Sequence, residues 1–81
     1  MIIRVHFFAQ IKEAFGQSGR DLELPAGATA GEAAKKLMKE SAAAQIRNLP
    51  LSYAVNDSYA SADSKLNEGD ELVLLPPVAG G

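Results

Sequence analysis

The two most apolar strand-like runs of this chain lie at its opposite ends. Residues Ile2 to Ala9 (IIRVHFFA) are β-branched and aromatic, the profile of a strand. Glu71 to Leu75 (ELVLL) is a near-continuous apolar run, the pattern of a central strand. With 81 residues there is room for one domain only, near the lower size at which a hydrophobic core holds a fold without staples. No disulfide can help, because there is no Cys. The economical solution sets the two runs side by side at the centre of one sheet. On the first, Ile3, Val5 and Phe7 share an apolar face that should meet the core. Ile2, Arg4, His6 and Phe8 share the other, a mixed face expected to be only partly covered.

The segments between add a short helix over Gln10 to Phe15, closed by Gly16, then a polar loop over Gln17 to Arg20. A second strand is expected over Asp21 to Pro25, with Leu22 and Leu24 inward. Thr29-Ala30-Gly31-Glu32 fits a capping box. The helix it opens carries Ala30, Ala33, Ala34, Leu37 and Met38 on one face and ends by Ser41 to Asn48. A third strand is expected over Ser52 to Asn56, a turn over Asn56-Asp57-Ser58, and a short return strand from Tyr59. Gly69 supplies a turn before the last strand. This order implies an α+β fold: a mixed sheet of four to five strands with one main covering helix, the ubiquitin-like β-grasp. Residues 1–75 form the domain, and 76–81 an extended, flexible Gly-Gly tail.

Composition excludes several functions. Lys and Arg number 8 against 10 Asp and Glu, a formal charge of −2, so the basic footprint of a nucleic-acid binder is missing. No apolar run is long enough to cross a membrane, and the N-terminus does not read as a signal peptide; a cytoplasmic location is expected. Without Cys, and with His6 as the single His, neither a Cys/His metal cluster nor a Cys nucleophile is available. A Ser-His-Asp triad would have to use His6, inside a strand. A self-contained active site of side chains is therefore not expected.

The C-terminal residues Pro76-Pro77-Val78-Ala79-Gly80-Gly81 carry the chemistry instead. Two prolines release the chain from the sheet and hold it extended. Pro77 to Gly81 reaches roughly 15 Å, at about 3.3–3.6 Å per residue. Ala-Gly-Gly is thin enough to thread a passage too narrow for other residues. The only special group at its tip is the α-carboxylate of Gly81. A carboxylate becomes an acyl donor only when one oxygen is made a leaving group, as by adenylation, and Gly leaves the acyl carbon unhindered. The pattern describes a carrier whose working group is its own C-terminus.

Val5-His6-Phe7-Phe8-Ala9, Ala54-Val55-Asn56, Gly69-Asp70-Glu71-Leu72 and Pro76-Pro77-Val78-Ala79-Gly80-Gly81 together resemble the ubiquitin-like sulfur carriers, in particular the small subunits of molybdopterin synthase. The resemblance covers essentially the whole chain. It implies an E1-like adenylyltransferase that uses MgATP to make an acyl-adenylate on Gly81, and a sulfur donor that converts it to a thiocarboxylate. It further implies insertion of Pro76 to Gly80 into the large subunit of a heterotetrameric synthase, where sulfur passes to cyclic pyranopterin monophosphate. No cofactor is then bound by this chain, and the acid and base groups belong to the large subunit.

Phe8 stands open between core and partner surface, because its strand phase puts it on the mixed face. Arg4, Glu68, Asp70 and Glu71 are expected to flank the tail as polar partner contacts, although Asp70 can equally serve the turn. Lys35, Lys36 and Lys39 read as a solvated helix face. Two other functions share the Gly-Gly end: a sulfur carrier of thiamine synthesis, and a ubiquitin-like modifier that joins Gly81 to a substrate Lys.

Overall fold

The computed structural model of the protein describes residues 1–76. Five strands form one sheet: β1 (Ile2–Phe7), β2 (Gly19–Glu23), β3 (Ser52–Val55), β4 (Ser58–Ala60) and β5 (Glu71–Leu75). Their order across the sheet is β2-β1-β5-β3-β4. The two apolar end strands do lie together at the centre, with β1 parallel to β5 in the register Arg4↔Glu71 to Phe7↔Leu74. The other pairings are antiparallel. Helix α1 (Ala9–Phe15) links β1 to β2, and α2 (Ala30–Met38) crosses between β2 and β3. This is the β-grasp arrangement.

Burial along the strands explains the register. Ile3, Val5 and Phe7 of β1 and Leu72 and Leu74 of β5 are fully buried. A one-residue slip of β5 would turn both leucines out and Glu71 in. Burying each leucine is worth about 1.5–3 kcal/mol, and an unpaired buried carboxylate would add to the cost of the slip. Over this face lies α2, whose buried side is Ala30, Ala33, Ala34 and Leu37. Three alanines in that set let the helix approach the sheet closely. Its start is the expected capping box: Thr29 Oγ1 accepts from the Glu32 N–H at 3.2 Å, and Glu32 Oε1 accepts from the Thr29 N–H at 3.0 Å. Its end comes at Met38, followed by a 3₁₀ turn over Ser41–Ala43. There Arg47 donates to the carbonyls of Met38 and Glu40, at 2.6 and 3.0 Å, satisfying backbone groups near the helix end.

Turn chemistry follows the sequence closely. Gly16 closes α1 with φ 69°, its N–H donating to the Lys12 carbonyl. Asn56 and Asp57 both take positive φ, 49° and 70°, between the paired residues Val55 and Ser58. That is the two-residue hairpin geometry that Asn and Asp tolerate.

Strand β2 departs from expectation. It begins at Gly19 rather than Asp21 and ends at Glu23, while Leu24 remains buried just beyond it. The reason is a contact invisible in local pattern. Arg20 pairs across from Val5 on the core face, and its guanidinium donates to both carboxylate oxygens of Glu40 at 2.8 and 2.9 Å. The same group lies 5.1 Å from the Phe15 ring centroid, and Phe15 stacks on Phe7 at 4.7 Å. Arg20 therefore closes the edge of the core between α1, β2 and the end of α2, so a residue that reads as loop is held in the sheet. Gly19 is required beside it, because a Cβ there would stand 2.5 Å from the Val5 carbonyl oxygen. Gly19→Ala should cost about 1–3 kcal/mol by forcing β2 away from β1. In thermal denaturation the midpoint should drop by at least about 4 °C.

Candidate functional site

The described elements cover one face of the sheet. Both helices place their buried residues in the core cluster with Ile3, Val5, Phe7, Leu72 and Leu74. The alternate strand residues form the outer face. The registers set His6, Val73, Ala54 and Tyr59 in a single row across β1, β5, β3 and β4. Val73 and Ala54 are partly exposed, and Tyr59 is 89% exposed. The next row holds Leu75, paired with Ser52, and Phe8, which follows the Phe7↔Leu74 pair. Phe8 keeps extended backbone, φ −131° and ψ 157°, as the residue capping α1, so it continues the alternation of β1 onto the outer face. It is 50% exposed. The outer face is thus an apolar stripe of Phe8, Leu75, Val73, Ala54 and Tyr59, with no described element over it. Strand β5 is central, as its apolar run predicts, yet it buries Leu72 and Leu74 and leaves Val73 and Leu75 half-covered.

The parallel pairing decides which end of this stripe meets the C-terminal residues. Chain leaves β5 at Leu75 and Pro76, beside the end of β1 and therefore beside Phe8. Arg4, Glu68, Asp70 and Glu71 sit at the other end, where the chain enters β5. Arg4 is four residues from Phe8, about 13 Å along the strand. Parallel β1 and β5 run the same way, so these four residues lie at the end of β5 opposite to Leu75 and Pro76, and their expected place beside the tail involves residues 77–81, which lie outside the described residues. Asp70 serves its turn, accepting from the Asn67 N–H at 2.8 Å and from Asn56 Nδ2 at 2.9 Å. Arg4 pairs with Asp21 at 3.1 Å, and Glu68 accepts from the Ile2 N–H at 2.9 Å. Pro76 is the last described residue, so Pro77, Val78, Ala79, Gly80 and Gly81, with the expected extended tail, lie outside the described residues.

No group of three or more His, Cys, Asp or Glu among the described residues is placed to hold a metal ion. No helix among them is long and apolar enough to cross a membrane. Sequence reasoning passed over Tyr59, Val73 and Leu75 as functional residues. The available signal was phase: each shares a face with Phe8 once the strand registers are known.

The ThiS family model matches residues 5–81. The chain belongs to the ThiS family. It is 35% identical over 83 residues to the molybdopterin synthase sulfur carrier subunit of Escherichia coli, covering 99% of this chain and 100% of the relative. It is 35% identical over 86 residues to the corresponding subunit of Drosophila melanogaster, covering 99% and 93%. Among solved structures, small archaeal modifier protein 1 of Haloferax volcanii aligns with a TM-score of 0.82 at 25% identity, over 95% of this chain and 98% of that one. Subunit 1 or 2 of the Helicobacter pylori molybdopterin-converting factor, solved as a complex of the two, aligns with a TM-score of 0.70 at 26% identity over the full length of both chains.

The two adjacent phenylalanines provide a direct check of the face assignment. Phe7→Ala should cost about 3–5 kcal/mol, as for a buried aromatic ring. Phe8→Ala should cost under about 1 kcal/mol, as for a side chain that the fold leaves half in water. Chemical denaturation of the two variants measures both.

Proposed function

We propose that this chain is the sulfur carrier subunit of a molybdopterin synthase and that the α-carboxylate of Gly81 is its working group. The observation that carries this reading is the full-length relationship to the Escherichia coli sulfur carrier subunit, with the family match running through Gly81. The fold supports it physically, because the uncovered apolar stripe lies beside the point where β5 releases the chain. A partner that covers Phe8, Leu75 and Val73 would hold the C-terminal residues at a set distance from its own surface.

In this reading an E1-like adenylyltransferase binds the same apolar face and supplies MgATP. A Gly81 carboxylate oxygen attacks the α-phosphorus and pyrophosphate leaves, giving an acyl-adenylate. A persulfide sulfur then attacks the acyl carbon and AMP leaves. Cleavage of the resulting S–S bond by a thiol frees the thiocarboxylate. Pro76 to Gly80 then thread into the large subunit of the synthase, and the sulfur is delivered to cyclic pyranopterin monophosphate. Positioning a sulfur nucleophile in a partner's pocket replaces a bimolecular encounter by an intramolecular one. The acid–base groups are the partner's, and this chain contributes sulfur, reach and docking. A heterotetramer with two large subunits and a cytoplasmic location belong to the same reading.

A second reading has one observation in its favour, the likeness to the Haloferax volcanii small archaeal modifier protein. A modifier would join Gly81 to a Lys amine instead of passing sulfur.

Intact mass spectrometry distinguishes the two after incubation with MgATP, a sulfur donor and the adenylyltransferase of the same organism. The carrier reading predicts a mass gain equal to exchange of one oxygen for sulfur, lost when Gly81 is deleted. Conversion into higher-mass conjugates, without that exchange, would favour the modifier. In the same assay Gly81→Ala should leave the thermal midpoint unchanged and slow thiocarboxylate formation by at least about tenfold, a loss of about 1.4 kcal/mol in the transition state.

A further inference from the structure

Among the described residues, three other than glycine take positive φ: Ala9 at 48°, Asn56 at 49° and Asp57 at 70°. Asn56 and Asp57 form the hairpin between β3 and β4, and both residue types tolerate the left-handed region. Ala9 has neither a hairpin nor a polar side chain to account for its value, and its Cβ makes that region unfavourable. The residue before it departs from local rules as well. Phe8 occupies the N-cap of α1 and makes no side-chain hydrogen bond to the helix, where Ser, Thr, Asp or Asn would supply one. At the start of α2, Thr29 does supply it. The two departures are consecutive, and they fall at the end of the apolar stripe where Phe8 adjoins Leu75.

The junction is as short as it can be. Strand β1 ends at Phe7 and α1 begins at Ala9, so Phe8 alone lies between them. The core fixes both sides. Phe7 is buried and stacks on Phe15 at 4.7 Å, and Ile11 is fully buried. The chain must turn from strand into helix at a single residue, and the left-handed φ of Ala9 makes that turn. Strain of this kind persists only where the surrounding packing enforces it. Phe8 is left in extended backbone, φ −131° and ψ 157°. Its carbonyl is tied to α1, accepting from the Ile11 and Lys12 N–H groups at 3.0 and 3.3 Å. A half-exposed ring thus stands on backbone held from both directions.

We propose that the single-residue turn at Ala9 holds Phe8 ready on the outer face, which makes Ala9 a positioning residue for partner binding. The inference rests on the docking role given to this face above. A side chain on loose backbone can dock only if that backbone is ordered at the moment of binding, which weakens the complex. Folding has already ordered the backbone of Phe8. Ala9 is itself exposed, so its strained conformation adds no core contact and lowers the stability of the fold. Its effect is on the placement of its neighbour.

The test is titration calorimetry of full-chain variants against the molybdopterin synthase large subunit of the same organism, with thermal denaturation of each variant. Inserting one Gly between Phe8 and Ala9 lengthens the junction and loosens Phe8. Binding should weaken about five- to thirtyfold, the effect of ordering one residue of backbone on docking. In a Phe8→Ala background the same insertion should change binding by less than about twofold, because the side chain it loosens is gone. Ala9→Gly keeps the length and removes the Cβ penalty. It should bind within about twofold of wild type, and its thermal midpoint should not fall.

Dependence on Phe8 separates positioning from a general loss of structure. If the insertion prevents folding, Ala9→Val carries the same comparison, since a β-branched residue resists the left-handed region more strongly than Ala does. It too should weaken binding only while Phe8 is present. Binding as tight as wild type by the folded insertion variant would overturn the proposal. So would an equal loss with and without Phe8, or a loss of binding in Ala9→Gly. Wild-type affinity in Phe8→Ala would instead overturn the docking role of Phe8 on which the proposal rests.

Discussion

Everything in this molecule depends on the parallel pairing of its first and last strands. The pairing joins segments more than sixty residues apart in sequence, and it requires all intervening elements to be arranged around it. A parallel pair cannot be closed by a hairpin, so the chain must cross over, and α2 makes that crossing on the core face. With Ile3, Val5, Phe7, Leu72 and Leu74 turned to α2, the alternation of the strands leaves Phe8, Val73 and Leu75 on the other side. The same pairing aims the C-terminal end of β5 in the direction of the end of β1. Core, uncovered apolar face and exit point are thus three consequences of one register.

That arrangement leaves a small chain with a sheet face to spare. Its core uses one sheet face and one main helix, and its second sheet face remains available. The half-covered stripe is not a defect of packing, because the described fold already buries a contiguous core on the other face of the sheet. Polar groups at the far end, Asp70 with Asn56 and Asn67 and Glu68 with the Ile2 N–H, anchor the entry of β5. The turn network thus stands at one end of β5 and the apolar exit at the other.

Much of this was legible in sequence because the signals are local. The capping box at Thr29, the glycine closing α1 and the Asn-Asp hairpin act within a few residues, and each forms where its residues occur. The central place of β1 and β5 followed from their hydrophobicity. What was not legible needed partners distant in sequence. Gly19 and Arg20 look like loop until Glu40, Phe7 and Phe15 are brought around the guanidinium. Asp70 appears close to the tail in sequence, yet the five residues of β5 carry the chain away from it. Tyr59 has no motif and joins the stripe only through three successive registers. The C-terminal chemistry was read from residue type alone, since side chains that are nearly absent leave composition and the carboxylate as the only signals.

The central claim is that the uncovered sheet face beside the exit of β5 is the surface a partner occupies. Chemical-shift mapping of the isotopically labelled chain, titrated with the molybdopterin synthase large subunit of the same organism, tests it most directly. The account predicts that the largest amide perturbations fall on Phe8, Ala54, Tyr59, Val73 and Leu75, with Lys35, Lys36 and Lys39 of α2 nearly unmoved. Perturbations concentrated on α2, with the sheet face unchanged, would contradict it.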